Sequence, residues 1–164
     1  MSLQLRPARR EAGFTLMELV VTLALLGLMA MLAAPLSELS VQRQREHELR
    51  TALREIRNAL DSFKLAADQG LIERKVGDSG YPPDLDTLVH GVTNQKSPAK
   101  ERMVFLRRLP RDPFAPTDGS PDAGTWGLRS YASPPDAPTS GADVFDVYSQ
   151  ATGTGLNGVA YRNW

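Results

Sequence analysis

The 164-residue sequence contains no cysteine, and this absence excludes several classes of protein. Without cysteine the chain can form neither a disulfide framework nor the lipid-modified terminus of a lipoprotein. The sequence also lacks internal repeats and long runs of one charge sign, and its formal net charge is zero. This charge balance gives no electrostatic reason to expect nucleic-acid binding.

Catalytic signatures are missing as well. The two histidines, His47 and His90, have no metal-binding or nucleophile motif beside them, so we interpret them as solvated residues. The Gly-Thr-Gly run at 153–155 is too short for a phosphate-binding fingerprint. We therefore predict no enzyme activity and no catalytic or cofactor-binding residue. The aromatic residues are predicted to be domain core rather than a stacking platform for bases; they are Trp126, Tyr131, Phe145, Tyr148 and Trp164.

One long apolar segment dominates the N-terminal part of the sequence. Residues 14–34 carry a single charge, Glu18, and as a helix they would span roughly 30 Å, the thickness of the hydrocarbon core of a bilayer. The flank before this segment holds three arginines and one glutamate. Because basic flanks stay in the cytoplasm, the sequence predicts a single-pass membrane protein with its N-terminus inside and its C-terminus outside.

Glu18 is unusual in such a helix, since a carboxylate there costs on the order of 3 kcal/mol on insertion scales. In an uncleaved signal anchor, Glu18 would snorkel to the lipid headgroups. Cleavage of an ordinary signal peptide after Ala34 is disfavoured because Pro35 follows directly. A signal anchor is therefore one interpretation, but it gives no reason for the Gly-Phe-Thr junction just before Glu18.

The junction Gly13-Phe14-Thr15-Leu16-Met17-Glu18, followed by an apolar run, resembles the class III signal of type IV pilins and type II secretion pseudopilins. This resemblance implies that a prepilin peptidase cuts between Gly13 and Phe14 and methylates the new N-terminal residue. Glu18 then becomes the fifth residue of the mature chain. Pro35 falls where many members of the superfamily have a proline that kinks the helix.

Processing of this kind gives Glu18 a physical role. The cut creates a cationic amine on Phe14, and in a stack of such helices the carboxylate of one subunit can neutralise the amine of a neighbour at low dielectric. The pair would set the register of assembled subunits. The mature chain would carry a net charge of about −2, because the leader removes three arginines and one glutamate.

After Pro35 the apolar pattern becomes one-sided. Residues 36–70 are predicted to continue the helix as an amphipathic half whose apolar stripe packs on the domain that follows. The stripe consists of Leu49, Leu53, Ile56, Leu60, Phe63 and Ala67. The predicted domains are a leader at 1–13, a transmembrane and filament-core helix at 14–35, the amphipathic half at 36–70 and a globular domain at 71–164.

The globular domain is predicted to consist of turns and short strands. Residues 79–89 fit a turn or a short helical turn, 103–109 fit a short strand or a loop, and 109–116 are too rich in proline for a sheet. Residues 125–133 and 142–149 alternate as antiparallel strands do. The fold class is therefore α+β and pilin-like, a long N-terminal helix packed on a small antiparallel sheet.

Five short segments of this domain resemble, in order, the landmarks of the major pseudopilin of type II secretion, the protein G class. They read GYPPDLDTLV, LRRLPRDPF, WGLRSYAS, FDVYS and a final NW. The chain departs from that family at Phe114, where tryptophan is usual, and at Thr117 to Gly124, which looks like extra loop sequence.

A third departure concerns calcium. Members of the resembled family bind calcium with aspartates that follow the tyrosine-serine strand, but this chain has no carboxylate after Asp146. Thr152, Thr154 and Asn157 offer only neutral oxygens, whereas calcium sites usually include carboxylates. We therefore predict no metal and no cofactor, with calcium as the disfavoured alternative. A cluster elsewhere would have to use loop aspartates, namely Asp118, Asp122, Asp136, Asp143 and Asp146.

The resemblance implies a structural subunit of the type II secretion pseudopilus, which drives protein export across the outer membrane through a periplasmic filament. Its partners would be copies of itself and other pseudopilins, the prepilin peptidase, an inner-membrane platform with its ATPase, and the membrane. A type IV pilus or competence pilin is the first alternative. A signal-anchored periplasmic binding module or enzyme is the second.

Overall fold

The computed structural model describes the backbone of residues 14–164 and the side chains of 14–31 and 38–164. The predicted leader 1–13, including Gly13, lies outside the described residues. The chain divides into two compact units, Met1–Val41 and Gln42–Trp164, and each is described by itself.

The long predicted helix is present as α1, Leu16–Asp68. Its last turn is closed by Gly70, whose φ of +68° is a left-handed conformation that glycine adopts without steric cost. The Gly70 amide donates to the Ala67 carbonyl at 3.0 Å, and the Leu71 amide donates to the Ala66 carbonyl at 2.9 Å. These bonds satisfy carbonyls that would otherwise be left without partners where the helix ends.

The kink predicted at Pro35 lies outside the side chains that the structure describes. The backbone of residues 32–37 is assigned as part of α1. The role given to Pro35 stays a prediction.

In the second unit, the apolar stripe of α1 forms one wall of the core. All six side chains of the predicted stripe are buried, and Ala52, Ala59 and Ala66 are buried beside them. The opposite wall comes from later parts of the chain and includes Leu85, Leu88, Leu106, Leu109, Trp126, Val144, Val147 and Tyr161. The prediction that this stripe is a core face is confirmed.

The strands are shorter than the sequence suggested, and they form two separate ribbons. Helix α2, Asp86–His90, is followed by β1, Val92–Thr93, which pairs antiparallel with β2, Arg102–Met103. Strand β3, Trp126–Arg129, pairs antiparallel with β4, Asp146–Ser149. The α+β class is confirmed, and within residues 14–164 the strands form two small antiparallel sheets where a single sheet was predicted.

The register of the second ribbon is set by a close contact. Gly127 lies opposite Tyr148, and a Cβ at Gly127 would come within 2.3 Å of the Tyr148 ring. Trp126, next to it, is buried and donates its indole N–H to the Pro110 carbonyl at 2.9 Å. Tyr131, by contrast, is 60% exposed, so the prediction that it belongs to the core was wrong. It lies past the end of β3, where no sheet partner covers it.

Candidate functional site

The first unit presents an apolar helix surface on all sides. Glu18 is the one charged residue between Phe14 and Met31, and large apolar side chains are exposed around the whole circumference. The exposed residues are Phe14, Leu16, Met17, Leu19, Val20, Val21, Leu23, Leu25, Leu26, Leu28, Met29 and Met31. A helix that is apolar all round is stable only when lipid or other helices cover it.

A search of the described residues found no helix that is both long and apolar enough to cross a membrane. The side chains of residues 32–37 are not among those described.

The start of α1 is organised by Thr15 and Glu18. The Glu18 amide donates to Thr15 Oγ1 at 3.2 Å, which satisfies one of the free amides of the first turn. Thr15 and Glu18 have the Thr-x-x-Glu spacing of a capping box, a signal that the sequence analysis missed. Phe14 directly precedes this turn and is 78% exposed. On the C-terminal side of the bond that is expected to be cut, the structure therefore places an accessible residue, Phe14, just before α1 begins.

The Glu18 carboxylate is exposed at this end of the helix. Among the ion pairs formed by the described residues, none involves Glu18. The other polar group nearby, the Thr22 hydroxyl, is satisfied within the helix because it donates to the Leu19 carbonyl at 2.9 Å. The processing and register roles of Gly13, Phe14 and Glu18 stay predictions at this point.

In the second unit, a buried glutamate of α1 holds the C-terminal loop. Glu46 Oε1 accepts hydrogen bonds from the Leu156 amide at 2.8 Å, the Tyr161 hydroxyl at 3.1 Å and the Gln42 side-chain amide at 3.2 Å. Sequence reasoning assigned no role to Glu46. Gln42 is one helical turn away, but Leu156 and Tyr161 lie more than 100 positions away in the sequence. No local pattern in the sequence therefore indicates the contact between Glu46 and the C-terminal loop.

Tyr161 is the hydrophobic anchor of the same loop. Its ring stacks on Phe114 at 4.2 Å between centroids and meets Trp164 edge-on at 5.2 Å. Burial raises the pKa of the Tyr161 hydroxyl; Gln42 opposes this shift, and the neighbouring Glu46 adds to it. The phenol therefore stays protonated and remains a donor to Glu46 at neutral pH. Phe114, a departure from the resembled family, supplies the ring on which this anchor stacks.

The chain terminus is fixed by arginines of α1. Arg57 donates to Asp146 Oδ1 at 2.8 Å, to the Val147 carbonyl at 3.1 Å and to the Trp164 carbonyl at 2.8 Å. The Arg50 guanidinium lies over the Trp164 ring, 4.3 Å from its centroid. Asp146, the last carboxylate side chain of the sequence, is thus already paired with a cation.

These contacts do not fit the calcium ion that the resembled family implies. Among the described side chains, 14–31 and 38–164, no group of three or more acidic or histidine residues is placed to hold a metal. Within the same described parts, every buried side-chain nitrogen and oxygen has a hydrogen-bond partner. The loop aspartates are engaged separately, since Asp118 and Asp122 both pair with Arg111.

Asp112 is a second buried carboxylate missed in the sequence. It lies in the proline-rich segment between Leu109 and Pro116. Its Oδ2 accepts from the Ser149 hydroxyl at 2.5 Å, and its Oδ1 accepts from the Phe114 amide at 2.8 Å. Its own amide donates to Thr125 Oγ1 at 3.2 Å. One side chain thus joins the end of β4 to the loop that precedes β3.

Asp143 orders the loop between β3 and β4. Its Oδ1 accepts from the Ser130 hydroxyl at 2.7 Å and from the Tyr131 amide at 2.9 Å. Burial raises the pKa of Asp143, but hydrogen bonds from Ser79, Ser130 and the Tyr131 amide outweigh it and hold that pKa below its usual value. The ionised form is therefore the one that stabilises the fold.

We expect Asp143→Asn to lower the free energy of unfolding by about 1 kcal/mol at neutral pH. A lowered folded-state pKa stabilises the protein above the unfolded value near 3.9, and this stability is lost as pH falls through the folded value. The difference between variant and wild type should therefore shrink in acid. Urea unfolding as a function of pH measures it, with Asp136→Asn as the control because Asp136 is exposed in the same loop. A difference that stays constant into acid would contradict the assignment.

Comparisons with known proteins agree with the apolar helix and its junction. The family model described as a prokaryotic N-terminal methylation motif matches residues 8–34. Type II secretion system core protein G of Vibrio cholerae serotype O1 is 27% identical over 98% of this chain and 96% of its own length. Core protein G of Aeromonas hydrophila is 30% identical over 65% of this chain and 69% of its own length. No solved structure matches the chain significantly.

Proposed function

Because the chain belongs to the core protein G family of type II secretion pseudopilins, we propose that prepilin peptidase cleaves it between Gly13 and Phe14. The family model for N-terminal methylation covers this junction. The same enzyme then methylates the amine of Phe14. The mature product begins one residue before the cap of α1, so its charged amine lies at the end of an apolar helix.

As a subunit of the type II secretion pseudopilus, the mature chain assembles through this helix. The observation that supports this role is the apolar surface of residues 14–31, exposed on all sides, with Glu18 as its single charge. Neighbouring helices cover the apolar side chains, and Glu18 of one subunit pairs with the Phe14 amine of the next. At an effective dielectric near 20, such a pair at about 4 Å is worth about 4 kcal/mol.

The same helix anchors the subunit in the inner membrane before assembly. Its basic flank stays in the cytoplasm, and the second unit is exported to the periplasm. Extraction of the helix from lipid needs an energy source, which an inner-membrane platform and its ATPase supply. Other pseudopilins and prepilin peptidase are the remaining partners.

The second unit acts as a structural domain. Its buried carboxylates, Glu46 and Asp112, are each bonded to partners inside the fold, which is the arrangement of structural residues. We assign it neither catalysis nor a cofactor.

Leader removal tests this function directly. We expect intact-mass and N-terminal sequence measurements to show loss of Met1 to Gly13 and a methylated Phe14 in cells that have prepilin peptidase. Cells without the peptidase should retain the leader, and so should a Gly13→Val variant, because a bulky residue replaces the glycine at the cut. An identical, uncleaved N-terminus with and without the peptidase would instead indicate a signal-anchored periplasmic domain.

A further inference from the structure

The loop between β4 and the end of the chain, residues 150–160, is held by a buried anion. Glu46 is 5% exposed and projects from α1 into this loop. Its Oε1 accepts from Leu156, Tyr161 and Gln42, and the Gln42 side-chain amide also donates to the Tyr161 hydroxyl at 3.1 Å. We call the set of Glu46, Gln42, Tyr161 and the Leu156 amide the loop clamp.

The polarity of the clamp is opposite to that of a cation site. A calcium loop turns several oxygens toward a central positive charge. Here N–H and O–H donors converge on one carboxylate oxygen, and hydrogen bonds to a charged acceptor are the stronger class. A metal at this position would face donors instead of ligands.

Three oxygens of the loop accept hydrogen bonds from within the loop or from Tyr161. Asn157 Oδ1 accepts from the Val159 amide at 3.1 Å, and the Val159 carbonyl accepts from the Gly155 amide at 2.9 Å. The Gly153 carbonyl accepts from the Tyr161 amide at 3.1 Å. The loop is therefore closed by its own hydrogen bonds and by the clamp.

From this geometry we infer that Glu46 replaces a metal ion: the loop clamp closes residues 150–160 onto α1, and this chain orders its C-terminal loop without calcium. The inference concerns residues of the second unit and does not depend on leader processing or filament assembly. It predicts a subunit whose C-terminal surface keeps its shape at any calcium concentration.

Amide hydrogen exchange of the full chain in detergent tests the clamp. In Glu46→Ala, peptides covering 150–160 should exchange roughly tenfold faster or more in the presence of EDTA, because the Leu156 amide loses a charged acceptor in a buried site. Glu48→Ala is the matched control. Glu48 lies on the same helix and accepts from Gln44 at 3.0 Å, as Glu46 does from Gln42, but it is exposed and has no bond to the loop.

A second variant keeps the test decisive if Glu46→Ala fails to fold. Tyr161→Phe retains the carboxylate and the ring that stacks on Phe114 but removes the hydroxyl donor. We expect it to raise exchange of 150–160 severalfold and to leave the helix peptides around Ile56 unchanged. Equal exchange in wild type, Tyr161→Phe and Glu46→Ala would overturn the inference.

A comparison of the wild type with and without calcium is the second test of the inference. For the wild type, exchange of 150–160 and the unfolding midpoint should be the same in EDTA and in millimolar calcium. A calcium-dependent slowing of exchange in that loop, absent from the rest of the second unit, would show that a metal closes the loop and that Glu46 does not suffice.

Discussion

Glu18→Ala should reduce pseudopilus assembly and dependent secretion at least tenfold while leaving cleavage after Gly13 intact. The loss follows because the variant cannot neutralise the amine of a neighbouring Phe14 inside the apolar bundle. A tenfold reduction in assembly corresponds to about 1.4 kcal/mol, which is less than such a charge pair contributes at low dielectric. Quantifying sheared filaments and secreted substrate in parallel with the mature N-terminus measures both effects.

The Thr-x-x-Glu spacing suggests a competing role for the Glu18 side chain, helix capping, which the substitution must separate from charge pairing. Glu18 occupies the fourth position of the Thr-x-x-Glu spacing that begins α1, where glutamine serves a capping box as well as glutamate does. Glu18→Gln therefore keeps the cap and removes the charge. If charge sets the register, Glu18→Gln assembles as poorly as Glu18→Ala.

Glu38→Ala is the matched control for these variants. Glu38 is an exposed glutamate of α1 in the same unit but beyond the apolar residues, so its loss should leave assembly unchanged. Near-normal assembly of Glu18→Gln together with failure of Glu18→Ala would assign the residue to helix capping. Normal assembly of both variants would refute the register role altogether.

Features of the fold that depend on residues close together in the sequence were predictable from its pattern. The spacing from Leu49 to Ala67 repeats with the helical period, and all of its members are buried. Alternate residues of a strand face the same side, so the alternation in 125–133 and 142–149 predicted two strands. The structure contains both strands, and they pair with each other as β3 and β4. The strands are shorter than predicted because proline, glycine and polar loops between them leave few residues free to pair.

The clamp and the buried aspartate could not be predicted in this way. Glu46 sits among charged residues of an amphipathic helix, and in the sequence it resembles its exposed neighbour Glu48. The loop that buries it follows more than 100 residues later. The sequence did show that the loop contains no acidic side chain of its own, because no aspartate or glutamate follows Asp146.

Asp112→Ala should lower the free energy of unfolding by about 3 kcal/mol, among the largest effects of a single polar residue in this domain. The substitution removes the acceptor of the Ser149 hydroxyl and of the Phe114 amide. Ser149 is fully buried and Asp112 is 2% exposed, so water reaches neither group without opening the fold. Urea unfolding of the full chain in detergent, followed by fluorescence of the nearby Trp126, measures the loss.

Two further variants identify the cause of that loss. Asp112→Asn keeps the shape and one carbonyl acceptor for the Phe114 amide, so it should recover most of the stability if hydrogen bonding is responsible. Asp122→Ala removes an exposed aspartate from the loop that follows, where the ion pair with Arg111 is solvated and worth less than 1 kcal/mol. Equal losses in Asp112→Ala and Asp122→Ala would mean that burial of Asp112 contributes nothing specific. We expect the free energy of unfolding of Asp112→Ala to lie far below those of the other two variants. This result would show that the Arg-Asp-Pro segment is a hydrogen-bonded junction between β4 and the loop before β3.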